Sequence, residues 1–124
     1  GVDGRLYVWG DRFDPSWGCM RQSHPEQMLP AEIDDFPIDE SPYRVRGMAG
    51  NMMDWTLSQF REEGPPTKQG RITEENMQEE PLFQSIRGGH WLGYANCLRA
   101  ADRSSDVRTN RGYNLGFRLL RPIG

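Results

Sequence analysis

At 124 residues the chain is long enough for one domain or for part of one. Its hydrophobic content of 35% and mean hydropathy of −0.80 allow only a lean core, while 14 Gly and nine Pro suit a loop-rich fold. The formal net charge is −3, and basic residues are dispersed except in an Arg-rich C-terminal third, so no nucleic-acid partner is expected. No apolar run approaches the ~20 residues that span a bilayer, and the N-terminus lacks a charged-then-apolar leader pattern, so no membrane partner is expected. The two cysteines, Cys19 and Cys97, form neither a disulfide framework nor a metal-ligand spacing, and they read as two reduced, unrelated thiols. The cytoplasm is the default compartment on that reading.

Leu6 and Val8 give a short apolar alternation leading into a turn at Gly10-Asp11, and Pro15, Trp17 and Gly18 mark ordered loop. Pro25 and Pro30 flank a polar connection. An acidic run follows (Glu32, Asp34, Asp35, Asp39, Glu40), broken by Phe36-Pro37. Proline forbids a long helix here and biases its predecessor toward extended backbone. The stretch reads as a solvated acidic loop pinned by Ile33, Phe36, Ile38 and Tyr43. Apolar residues thicken from Tyr43 to Phe60, where a turn at Ala49-Gly50-Asn51 precedes a strand through Asp54-Trp55-Thr56. Residues 61–80 are almost entirely polar and read as a flexible surface loop with a hairpin tip at Lys68-Gln69-Gly70. Three strand-like pieces come last: Phe83 to Gly88, Cys97 to Ser104 and Asn114 to Arg121. The last alternates with period two, as a half-buried strand does. Ser105-Asp106 and Asn110-Arg111-Gly112 read as the turns between them.

Four phrases recur in fixed order: Tyr7-Val8-Trp9-Gly10-Asp11, Met48-Ala49-Gly50-Asn51-Met52-Met53-Asp54-Trp55, Arg87-Gly88-Gly89-His90-Trp91 and Leu115-Gly116-Phe117-Arg118. Each sets glycine, which permits positive φ, beside a large aromatic ring that supplies buried area. In this order they resemble the formylglycine-generating enzyme (sulfatase-modifying factor) family, a variant of the C-type lectin fold. The resemblance implies a loop-rich α+β domain with short antiparallel strands and little regular secondary structure. The wording Phe13-Asp14-Pro15-Ser16, Asp39-Glu40-Ser41-Pro42-Tyr43 and Val45-Arg46-Gly47-Met48 is most similar to bacterial members that accompany protein kinases. Family domains usually run to roughly double this length, so residues 1–124 read as the C-terminal part of one domain. The absent N-terminal half is then expected as a partner, in a separate segment or chain.

The resemblance also implies chemistry. Active members use a cysteine pair that binds copper(I), which prefers soft thiolates. The corresponding segment, His90 to Arg99, holds Cys97 alone, and Cys19 lies elsewhere, so copper and formylglycine formation are not expected. A calcium ion is implied around Gly50, Asn51, Met52 and Asp54, where turn carbonyls and a carboxylate offer hard oxygens. Asp54 stands where the family carries Glu, and the competing reading gives Asn51 and Asp54 backbone hydrogen bonds instead. The leading functional expectation is a non-catalytic ligand- or protein-binding module with an unidentified protein or small molecule as ligand. Its surface is expected in loops 90–97 and 102–114, from His90, Tyr94, Asn96, Cys97, Asp102, Ser104 and Tyr113, over a framework of Trp55, Trp91 and Phe117. Two alternatives stand beside it: a variable binding protein diversified by a retroelement, and a copper-dependent thiol oxidase.

Overall fold

A computed structural model describes residues 3–24, 26, 28–73 and 82–121. Strands and loops predominate. In chain order the strands are β1 (Met53–Gln59), β2 (Thr67–Lys68), β3 (Arg71–Ile72), β4 (Phe83–Arg87), β5 (Ser104–Val107) and β6 (Leu115–Gly116). One 3-10 turn, Ala95–Leu98, is the sole helical element among the described residues, so the helical share of the expected α+β class shrinks to that turn. No described helix is long and apolar enough to cross a membrane.

Four strands form one sheet in the order β5-β4-β1-β6. β4 runs antiparallel to both neighbours, whereas β6 pairs parallel with β1 (Met53 opposite Leu115, Asp54 opposite Gly116), a departure from the expected all-antiparallel pairing. The β1–β4 register slips between Trp55 and Gln59. Side chains repair the interrupted ladder there. Gln84 Nε2 donates to the Thr56 carbonyl at 2.8 Å, and Thr56 Oγ1 donates to the Ser85 carbonyl at 3.0 Å. β2 and β3 make a separate hairpin whose tip, Gln69 (φ 52°) and Gly70 (φ 74°), has the double positive φ that suits a two-residue turn. The expected hairpin tip is therefore present. Residues 74–80 of the polar stretch lie outside the described residues.

Four expectations are revised. Cys97 to Ser104 is the end of the 3-10 turn and a following turn, with only Ser104 in a strand. Ser105-Asp106 is strand, paired with Ser85 and Gln84, and the turn follows later. The last strand covers Leu115–Gly116 alone, leaving Phe117, Leu119 and Leu120 exposed. Near the N-terminus, Tyr7 and Gly10 exchange backbone hydrogen bonds around Val8-Trp9, so the turn begins earlier than Gly10-Asp11.

Besides Ile86 in β4, the buried apolar residues cluster outside the sheet. Tyr7, Met20, Ala49 and Leu98 are buried together, with Val8, Trp9, Ala95 and Cys97 against them. Trp9 stacks on Tyr7 at 5.2 Å and receives the edge of Trp17 at 6.2 Å, so aromatic rings replace long helices as core filling. Two glycines let loops approach. Gly50 (φ 105°) abuts the Cys19 backbone, and a Cβ at Gly89 (φ 68°) would stand 2.6 Å from the Cys97 carbonyl. The acidic loop is held differently from expectation. Ile33, Ile38 and Tyr43 are exposed, and only Phe36 is half-buried, packed edge-on with His24. Its anchor is the buried Asp39 carboxylate, which accepts from Ala49 N at 3.0 and 3.1 Å and from Met48 N at 3.2 Å.

Candidate functional site

The sheet brings the candidate residues to one end. β1, β5 and β6 all begin where β4 finishes, so Asp102, Ser104, Tyr113 and the 88–97 loop flank the same strand ends. The loop is built from backbone bonds. Trp91 N donates to Asn51 O (3.0 Å), Gly93 N to His90 O (2.8 Å), Arg21 N to Gly93 O (3.0 Å) and Cys97 N to Tyr94 O (2.9 Å). His90 turns its Nδ1 toward Leu92 N at 3.3 Å, and burial pushes its pKa down, which favours a neutral, structural imidazole over an acid/base group. Tyr94 is 55% exposed, with its hydroxyl bonded to Arg21 Nη1 at 3.0 Å and the guanidinium carbon 5.3 Å from its ring centroid. Tyr113 is exposed and packs at 6.0 Å against Trp91, tilted by 57°. Trp91 therefore joins Tyr113 to the 88–97 loop. Asn96 and Ser104 are exposed; Cys97 and Asp102 are half-buried, and the Asp102 carboxylate lies 4.0 Å from the Arg99 guanidinium.

In the turn at Gly50, Asn51, Met52 and Asp54, the Asn51 and Asp54 side chains bond within the protein. Asn51 (φ 60°) accepts from Ala31 N through Oδ1 at 2.9 Å and returns Nδ2 to Ala31 O at 3.1 Å, while its own carbonyl receives Trp91 N. Asp54 Oδ2 is bonded to Arg118 Nε; the same guanidinium reaches Arg46 O at 2.8 Å through Nη1 and Gly47 O through Nη2. Among the described residues no group of three or more His, Cys, Asp or Glu side chains comes together. The Asn51 and Asp54 side chains of the expected calcium turn are thus engaged within the chain, Asn51 Oδ1 by an N–H and Asp54 Oδ2 by a guanidinium. Sequence reasoning treated Arg118 as framework wording and missed its role as a clamp on Asp54 and the 46–47 backbone.

The two thiols have different surroundings. Both cysteines are free. Cys19 is buried with Sγ 3.6 Å from Leu29 O, and burial pushes its thiol up, against the thiolate that copper(I) needs. Cys97 Sγ lies 3.8 Å from Asn96 Oδ1 in the 3-10 turn.

A pocket of ≈ 570 Å³ opens between the sheet and the connection from β5 to β6. The connection from β5 to β6 has to pass from one edge of the sheet to the other. Its residues Arg108 and Asn110 to Gly112 line the pocket together with Trp55, Leu57, Phe117 and Gln84. Phe117, expected as buried framework, is 73% exposed and lines this opening. Gln84 is 5% exposed; its Oε1, and likewise Trp91 Nε1, meets no partner among the described residues, at a cost of about 1–3 kcal/mol for each orphaned group. Neither Gln84 nor Arg111 carried a sequence signal beyond its place in a strand or a polar turn.

Residues 1–123 match the family described as the sulfatase-modifying factor enzyme 1-like domain. A formylglycine-generating enzyme of Streptomyces coelicolor is 29% identical over 143 residues, covering 95% of this chain and 41% of the relative. An inactive C-alpha-formylglycine-generating enzyme 2 of Bos taurus is 25% identical, over 100% of this chain and 40% of its own. An uncharacterized Bacillus subtilis protein, YfmG, is 26% identical over 99% of this chain and 29% of its own. The chain thus spans less than half the length of each of these relatives.

Proposed function

This chain belongs to the family of sulfatase-modifying factor enzyme 1-like domains, and on that premise we propose that it serves as a ligand- or protein-binding module without formylglycine chemistry. Its relatives bear the names of an active enzyme and of an inactive one, so membership alone does not choose between the roles. The observation that carries the reading is the state of the sulfurs. The segment after β4 offers one thiol, Cys97, and the other cysteine is buried, its thiol disfavoured as an anion. The adjoining loops meanwhile present Tyr94 and Tyr113 outward on a backbone fixed by hydrogen bonds. Rigid aromatic rings with polar tips supply contact area at low entropic cost. The C-type lectin-like arrangement belongs to the same reading.

Two measurements test it. Purified protein loaded with copper(I) should consume no oxygen in the presence of a cysteine peptide. Immobilised protein should retain a partner that is lost with Tyr94→Ala or Tyr113→Ala. Copper-dependent oxygen uptake that disappears with Cys97→Ser would restore the oxidase alternative.

A further inference from the structure

We propose that the pocket between the β5–β6 connection and strands β1 and β4 binds a small planar aromatic anion that also carries a hydrogen-bond donor. The inference rests on the binding-module reading above and gives that reading a ligand class. Size comes first. A pocket of ≈ 570 Å³ falls in the range that takes small organic ligands, and two aromatic side chains, Trp55 and Phe117, offer flat apolar surface in it. An exposed phenyl ring beside a half-buried indole suits a flat partner better than an aliphatic one.

Charge supplies the second condition. Residues 82–121 contain seven arginines, two aspartates and no lysine or glutamate, in a chain of net charge −3. Arg108 and Arg111 stand at the pocket wall. Arg111 Nη1 donates to the carbonyls of Arg108 (3.1 Å) and Asn110 (2.9 Å), which fixes the guanidinium at the rim, while its Nε and Nη2 donate to no described residue. The nearby carboxylate, Asp106, is occupied by Asn110 Nδ2 at 2.6 Å and Val107 N at 2.7 Å. A guanidinium held in place with donors to spare is suited to a carboxylate or phosphate.

Gln84, another lining residue, supplies the third condition. Its Nε2 is committed to Thr56 O, which fixes the amide orientation and leaves the buried Oε1 an acceptor with no donor among the described residues. A ligand hydroxyl or N–H inserted against it satisfies it.

Calorimetric titration of the purified protein with hydroxynaphthoate, naphthoate and hydroxynaphthamide tests the proposal. Hydroxynaphthoate should bind most tightly, by about tenfold over each comparator, since each lacks one hydrogen-bonded or charged contact. Arg111→Gln should erase the advantage over the amide, and Phe117→Ala, at an exposed position, should weaken all three. Equal affinities for the three compounds, or an unchanged hydroxynaphthoate affinity in both variants, would overturn the pocket assignment. Tyr94→Ala lies outside the pocket and should leave hydroxynaphthoate binding intact. If it alone abolishes that binding, the ligand sits on the tyrosine surface, and the pocket fails while the binding-module reading survives.

Discussion

Asp39 shows how far one side chain can depart from its surroundings in sequence. It belongs to an acidic run, yet it is 2% exposed, and burial pushes its carboxyl up to about 6 against the three backbone N–H bonds that favour the anion. A folded pKa above the unfolded value of 3.8 stabilises the fold fully below that value and loses the contribution as pH rises through 6. The loss amounts to about 3 kcal/mol at most, from 1.36 kcal/mol per pKa unit. Asp39→Asn keeps an acceptor for Ala49 N without the charge. The difference in urea stability between variant and wild type should therefore grow in the variant's favour from pH 4 to pH 7. A difference that is constant with pH would show that the carboxyl titrates as an ordinary one. Asp54 and Arg118 form the second residue-scale device, partly buried at 20% and 32% side-chain exposure. Asp54→Ala should cost about 1–3 kcal/mol by stranding the guanidinium, equally with calcium and with chelator. A melting temperature that rises with calcium in the wild type and not in the variant would restore the calcium expectation.

Among the elements, glycines divide into those that hold loops together and those that merely turn. Gly89 has φ 68° and a neighbouring carbonyl 2.6 Å from its missing Cβ, so Gly89→Ala should destabilise by more than about 1 kcal/mol. Gly70 has φ 74° and open space, so only backbone strain opposes a side chain there. Gly70→Asn should be nearly neutral, because asparagine tolerates the left-handed region. Thermal melts of the two variants measure the contrast directly. The 88–97 loop and Tyr113 meet at Trp91, whose removal should cost about 3 kcal/mol or more. Tyr94→Ala and Tyr113→Ala should leave the melt almost unchanged, since both rings are exposed. If those variants unfold instead, the rings are structural and the recognition surface is misplaced.

For the whole molecule, the apolar balance is the notable quantity. Leu57, Phe117, Leu119 and Leu120 are each more than 70% exposed, while the described core is a cluster around Tyr7, Met20, Ala49 and Leu98. Exposed apolar residues near an open sheet edge attract a covering partner. Residues 1–124 in isolation should therefore bind a hydrophobic dye strongly and self-associate with rising concentration, whereas a cooperative melt from a monodisperse monomer would show the small core to be sufficient.

The glycine–aromatic phrases were legible in the sequence because their chemistry is local. Positive φ at Gly50, Asn51 and Gly89, the strand after the Ala49-Gly50-Asn51 turn and the hairpin at Gln69-Gly70 all follow from neighbouring residues. The family follows from the order of those phrases, and the exposure of Tyr94 and Tyr113 from the polar character of their loops. Contacts between distant segments were not legible. Arg118 meeting Asp54 and the 46–47 backbone, Asp39 capping the turn at Ala49, and Gln84 filling the slipped β1–β4 register depend on where strands cross. So does the parallel pairing of β6, which ends the last strand after two residues and leaves Phe117 at a pocket wall. Residue type and spacing set which backbone angles a segment adopts. Which oxygen a guanidinium finds, and which ring is covered, is decided by segments far apart in the chain and brought together only by the fold.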